Sequence, residues 1–142
     1  MRKKMILGQI IFAVAIGGTI GWFFGGLDGF MYAMIAFVLV DYLTGVIAAA
    51  INNELSSDIG FKGICKKVME FLLVGIANVL DKQILKSGAV MRDIVIFFYV
   101  ANEGLSILEN ATRIGLPVPQ ALKKMLKQLK DKGKDVPDGK DE

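Results

Sequence analysis

Apolar runs at residues 5–27 and 30–51 are nearly unbroken, whereas those at 68–85 and 89–108 are interrupted by charge at helical spacing. Twenty-two residues of helix rise about 33 Å, enough to cross a hydrocarbon core of about 30 Å. The pattern predicts membrane-spanning helices over about 5–27, 30–51, 66–85 and 89–110. In the second, Asp41 shares a face with Thr44, Gly45, Ala48 and Asn52, while Phe37, Leu39, Val40 and Leu43 lie opposite, as lipid requires. An aspartate at mid-bilayer costs on the order of 3 kcal/mol to insert, so this helix expects a neighbour. The plainer alternative is a neutral Asp41 satisfied by a local hydrogen bond in a packed bundle.

The third and fourth runs carry polar stripes. Lys67, Glu70, Val74, Asn78 and Asp81 fall within about a quarter turn, and Arg92, Tyr99, Glu103, Ser106 and Asn110 line one face opposed by Val95, Phe97 and Leu105. Rods of this kind suit lipid on one side only. Their stripes meet each other, meet Asp41 or line water; ion-paired bundle glue is the structural alternative.

In the first run Ala13, Gly17, Gly21 and Gly25 recur every fourth residue, a ridge that lets another helix approach closely, although glycine is common in membrane helices generally. This run is about twice the length of a signal-peptide core and leads into Gly25-Gly26-Leu27-Asp28-Gly29, a turn rather than a cleavage site. Residues 52–67 read as a polar, glycine-punctuated loop, and Lys86-Ser87-Gly88 as a short turn. Gly115-Leu116-Pro117-Val118-Pro119 ends the fourth run, because neither proline continues a helix. Residues 116–132 then form a basic amphipathic helix, with Leu122, Met125, Leu126 and Leu129 on one face and Lys123, Lys124, Lys127 and Lys130 elsewhere, suited to anionic headgroups; a calmodulin-like partner is a remote alternative. Residues 133–142 alternate charge with almost no apolar content, Val136 alone, and are expected to be disordered.

Composition agrees with an all-α integral membrane protein, a helical bundle over residues 1–115 with no separate globular domain. The chain is 54% hydrophobic with a mean hydropathy of +0.51, yet 22% charged, so the charge is segregated. With four spans and both termini inside, 14 of the 17 Lys and Arg fall on the cytoplasmic side; a three-span arrangement would place the lysine-rich tail outside. The net charge of +3 lies in flanks without interleaved aromatics, which favours a lipid surface over nucleic acid. One cysteine and no histidine leave no disulfide within a chain, no zinc site and no histidine-based catalysis, and Cys65 beside Lys66 and Lys67 reads as inert packing. No nucleophile–base pair or phosphate-cradling loop is present, so neither an enzyme nor a cofactor is expected.

Several separated motifs then stand in order: Asp41-Tyr42-Leu43-Thr44-Gly45, Leu55-Ser56-Ser57, Gly60-Phe61-Lys62-Gly63 before Lys66-Lys67, and Ala77 with Asp81. Tyr99-Val100-Ala101-Asn102-Glu103-Gly104-Leu105-Ser106-Ile107-Leu108-Glu109-Asn110 and residues 115–119 complete the set. Over roughly residues 30–130 the chain resembles the phage-lysis and toxin-secretion holins of Gram-positive bacteria and their phages. The resemblance implies a small non-enzymatic protein of the bacterial cytoplasmic membrane that accumulates and then oligomerises into lesions. The cargo would be an endolysin or a large toxin, without stable binding, and an antiholin is a possible partner. Two other classes stay open: an ion channel or transporter using the intramembrane acids, against which no inverted repeat is visible, and an antiholin or inert scaffold.

Overall fold

The computed structural model describes residues 2–134. It comprises α1 (Arg2–Phe24), α2 (Gly29–Ile51), α3 (Ser57–Val79) continued by a π-helical turn (Leu80–Leu85), α4 (Val90–Arg113) and α5 (Gln120–Lys134). The described residues contain no strand. Asp28 at the start of α2 pairs with Arg92 at the start of α4, and Glu54 beyond the end of α2 pairs with Arg113 at the end of α4. The two helices therefore run parallel, with α3 antiparallel to both.

Three helix ends share one device. Gly25, Asn53 and Gly115 all adopt positive φ (76°, 56° and 84°). The next amide in each case, of Gly26, Glu54 or Leu116, reaches back to the carbonyl of Gly21, Ala49 or Ala111. These are Schellman closures, in which a left-handed residue satisfies otherwise orphaned carbonyls. Gly25 is thus a turn residue, not part of a helix-association ridge, and α1 stops at Phe24 rather than continuing to residue 27.

The apolar core joins Met31, Met34 and Val38 of α2 to Val74 of α3 and Ile96 of α4. Outside it the molecule is inverted relative to a water-soluble bundle. In α3, Ile64, Val68, Met69, Leu72, Leu73 and Ile76 are exposed, whereas Glu70 and Asn78 are buried. Three helices, α1, α2 and α4, are long and apolar enough by composition to cross a membrane. α3 has the same length as α1 and α2, but exposed Lys62 and Lys66 together with the inward Lys67, Glu70 and Asn78 lower its average hydropathy.

Two expectations need correction. Residues 57–67 are not loop: α3 begins at Ser57, and only 52–56 connect it to α2. Gly60 and Gly63 read as punctuation, yet Gly60 sits near the Tyr42 hydroxyl and Gly63 has nothing within 4 Å of where a side chain would begin, and the apolar Ile59, Phe61 and Ile64 beside them are exposed. At the other end, Gly133 and Lys134 complete α5 instead of opening a tail; residues 135–142 lie outside the described residues.

α1 touches the rest only through its last turn. Residues 2–20 are exposed throughout, the Phe23 ring covers Gly75, and Phe24 meets Phe71 edge to face at 6.3 Å. Gly17 and Gly21 have nothing within 4 Å of where a side chain would begin, so within the protomer they associate with no helix.

Candidate functional site

The predicted polar stripe divides into two clusters at different levels of the bundle. At the outer end Arg92, 1% exposed, donates from Nε to the Phe24 carbonyl (2.7 Å), from Nη2 to the Gly26 carbonyl (3.2 Å), and to both carboxylate oxygens of Asp28. Asp28 also caps α2 by accepting from the Met31 amide at 2.9 Å. The Arg92 guanidinium holds the Asp28 carboxyl below its usual value of 3.8, outweighing burial, which acts the other way. Asp81 accepts from the amides of Met91 and Arg92 and from Ser87, supplying the cap that Ala89 lacks for α4. Asn78 donates to the carbonyls of Trp22 and Phe23. Asn78, Asp81 and Arg92 are therefore a structural clamp on four helix ends. Every nitrogen of Arg92 and both oxygens of Asp81 are used within the chain, leaving the Asn78 Oδ1 alone without a partner.

The inner cluster lies between α2, α3 and α4. Lys67 Nζ bonds Asp41 Oδ2 at 2.6 Å and also bonds Glu103 Oε2. Asn110 Nδ2 faces Asp41 Oδ1 at 3.2 Å and Thr44 Oγ1 at 3.1 Å, while Thr44 donates to the Asp41 carbonyl at 3.0 Å. Ser106 lies beside Asp41, and Tyr99 packs at the margin of the apolar core. Glu70, 2% exposed, has no hydrogen-bond partner for either carboxylate oxygen, and its nearest cation, Lys66, is 3.9 Å away and itself exposed. The Lys67 ammonium is thus paired with two of three neighbouring carboxylates, an excess of negative charge that calls for a proton, water or a further cation.

Asp41, Thr44, Glu70, Glu103, Ser106 and Asn110 are brought together as the helical periodicity suggests. The central residue, Lys67, was legible as part of the α3 stripe but read as a loop charge. Asp28 lay hidden in a glycine-rich turn. A cavity of about 600 Å³ opens beside the cluster, lined by Asp41, Tyr42, Ser56, Gly60, Lys67 and Asn110 among others, with the Glu54–Arg113 pair at its rim. No group of three or more metal-ligating side chains occurs among the described residues.

α5 does not stand free of the bundle. After the Gly115 closure the chain turns back along α4, and Leu126 enters the gap above Gly104, beside Phe37. Phe37, expected to face lipid, is half-buried there. Lys123, Lys124 and Lys127 are exposed and Lys130 is half-buried. Gly104 precedes the end of α4 by nine residues, about 14 Å of helix, so Lys127 and Lys130 lie well below that end. In a bilayer that α4 crosses, a lysine near mid-depth would cost about 3 kcal/mol against lipid, more between the two than the roughly 2 kcal/mol from burying one leucine.

Residues 18–131 match the bacteriophage holin family. The chain belongs to that family. The holin-family match spans all three elements of the inner cluster together with α5 and the last turns of α1. Among similar proteins are an uncharacterized 14.9 kDa protein of Clostridium perfringens, 40% identical over 84% of this chain and 90% of that one, and an uncharacterized protein of Listeria innocua, 43% identical over 83% and 86%. The uncharacterized YqxH of Bacillus subtilis is 34% identical over 78% of this chain and 77% of its own. No solved structure matches. Holins are membrane pore-forming, non-enzymatic proteins, and the apolar helices here are those of a membrane protein.

Proposed function

We propose that the protein is a holin that accumulates in the cytoplasmic membrane of the bacterial host and then oligomerises into a lesion through which an endolysin or a large toxin passes. The observation that carries this reading is the family match over residues 18–131 on a bundle that turns the mid-helix acids Asp41, Glu70 and Glu103 inward while large apolar side chains cover its outer surface. In the proposed arrangement α1, α2, α3 and α4 all cross the bilayer and both termini are cytoplasmic. α3 crosses because α2 and α4 shelter Lys67 and Glu70 and the end of α1 binds Asn78. Neither enzymatic activity nor a cofactor is part of the role. Its partners are further copies of itself and the lipid bilayer.

The cavity beside Asp41 and Lys67 favours one other reading, a path for small cations. Controlled expression in a bacterium that also makes a cytoplasmic wall-degrading enzyme separates the two. A holin halts growth abruptly after a delay and lets that enzyme reach the wall. Collapse of an ion gradient with the enzyme retained would select the cation path, and a harmless product that delays lysis by a second holin would mark an antiholin.

A further inference from the structure

We propose that α5 is a two-position element: it lies on anionic headgroups while the protomer is surrounded by lipid, and docks over Gly104 when the α2–α4 face borders water, so that its lysines wet the wall of the lesion. The inference rests on the lesion reading above and says which surface of the protomer becomes wet.

The docked position is built into the chain. The Gly115 closure and the two prolines turn the chain, and Gly104 leaves room where a Cβ would come within 3.0–3.1 Å of the Leu126 methyls and 3.1 Å of Phe37. Yet only Leu126 among the apolar residues of α5 is buried; Leu122, Met125 and Leu129 stay exposed. An amphipathic helix with a half-covered apolar face suits a second resting place, and a surface of anionic headgroups takes both the remaining leucines and the lysines. Docked, the same helix carries Lys127 and Lys130 to a depth at which lipid disfavours them and water does not. The inner cluster meets water only at the cavity beside it, and its Lys67, Asp41, Asn110 and Glu103 side chains are already engaged with one another, whereas Lys127 of α5 is exposed and makes no such pairing. Lipid around the protomer therefore favours α5 on the headgroups, and water beside α4 favours α5 docked.

The test uses the full chain with Cys65→Ser and a small fluorophore on Lys127→Cys. It is reconstituted at rising protein-to-lipid ratio into phosphatidylglycerol-containing vesicles that hold a trapped enzyme and carry a headgroup-attached quencher. In sealed vesicles the lipid quencher is expected to act strongly. Above the ratio at which the enzyme escapes, lipid quenching is expected to fall several-fold and quenching by aqueous iodide to rise. Lipid quenching unchanged across that ratio, or already absent in sealed vesicles, overturns the inference. Gly104→Leu, which fills the gap, is expected to raise the releasing ratio several-fold, and Gly104→Val with Leu126→Ala to bring it back; an unchanged ratio for properly inserted Gly104→Leu also counts against docking. Enzyme release with α5 still on lipid sinks this inference alone, whereas retention of the enzyme at every ratio sinks the lesion reading.

Discussion

At the residue scale the decisive group is Lys67, whose ammonium lies between the carboxylates of Asp41 and Glu103. Removing one member of a buried ionic set leaves the others uncompensated, typically at a cost of about 3–5 kcal/mol. Lys67→Met is therefore expected to destabilise the bundle by about that much in denaturant titrations followed by circular dichroism in micelles. Adding Asp41→Asn and Glu103→Gln removes the stranded charges and should restore most of the loss; a Lys67→Met variant as stable as the parent would show that the contact is idle. In cells, Asp41→Asn with Glu103→Gln is expected to shift the time of lysis at equal membrane levels, and an unchanged time would remove those acids from the mechanism. Asp28 makes a prediction of opposite reach, because it belongs to the outer clamp and lies between helices. Its folded value is below 3.8, so its contribution is complete above 3.8 and is lost as pH falls further through the lowered value. Asp28→Asn should flatten the acid limb of helix loss below that pH and change nothing near neutrality beyond a constant offset. The sequence made Asp41, Glu103 and Asn110 legible through spacing alone, since 3.6-residue periodicity sorts faces. It could not show that Arg92 and Asn78 bind backbone carbonyls at the end of α1, because those acceptors carry no signature in residue type.

At the element scale the helices were legible where apolar runs are long and obscure where glycine intervenes. α2 begins and ends within one residue of its apolar run, whereas the start of α3 was hidden by Gly60 and Gly63, which are read as breaks but tolerated in a helix whose apolar residues sit on its outer surface. Glycine matters more at the closures. At Gly115, with φ of 84°, a Cβ is strained, so Gly115→Ala is expected to cost about 1 kcal/mol and to loosen the return of α5. Asn53→Gly, at φ of 56°, should be neutral or slightly stabilising. Equal unfolding midpoints for Gly115→Ala and the parent would show that the closure is not strained. The amphipathic character of α5 was plain from its sequence, but its docking was not, since a gap above one glycine is a tertiary fact.

At the scale of the whole molecule the bundle is a three-helix core of α2, α3 and α4, with α1 attached by one turn and α5 folded back on α4. The Phe23 ring covers Gly75 so closely that any side chain there collides with it, so Gly75→Leu should push α1 off the core while leaving the inner cluster paired. Unchanged proximity of labels on α1 and α3 in that variant would contradict the attachment. Hydropathy alone selects α1, α2 and α4, and it passes over α3 because Lys62 and Lys66 on its surface are averaged with Lys67 and Glu70, whose inward position an average along a sequence cannot register. The claim on which the rest depends is that α3 crosses the bilayer with its charge sheltered by α2 and α4, which sets residues 52–56 and 86–89 on opposite sides. Thiol labelling in intact cells before lysis tests it, with Ser56→Cys and Ser87→Cys placed singly in a Cys65→Ser chain and a reagent that does not cross membranes. Ser87→Cys is expected to react from outside and Ser56→Cys only after the cells are permeabilised; reaction of both, or of neither, from the outside would contradict it.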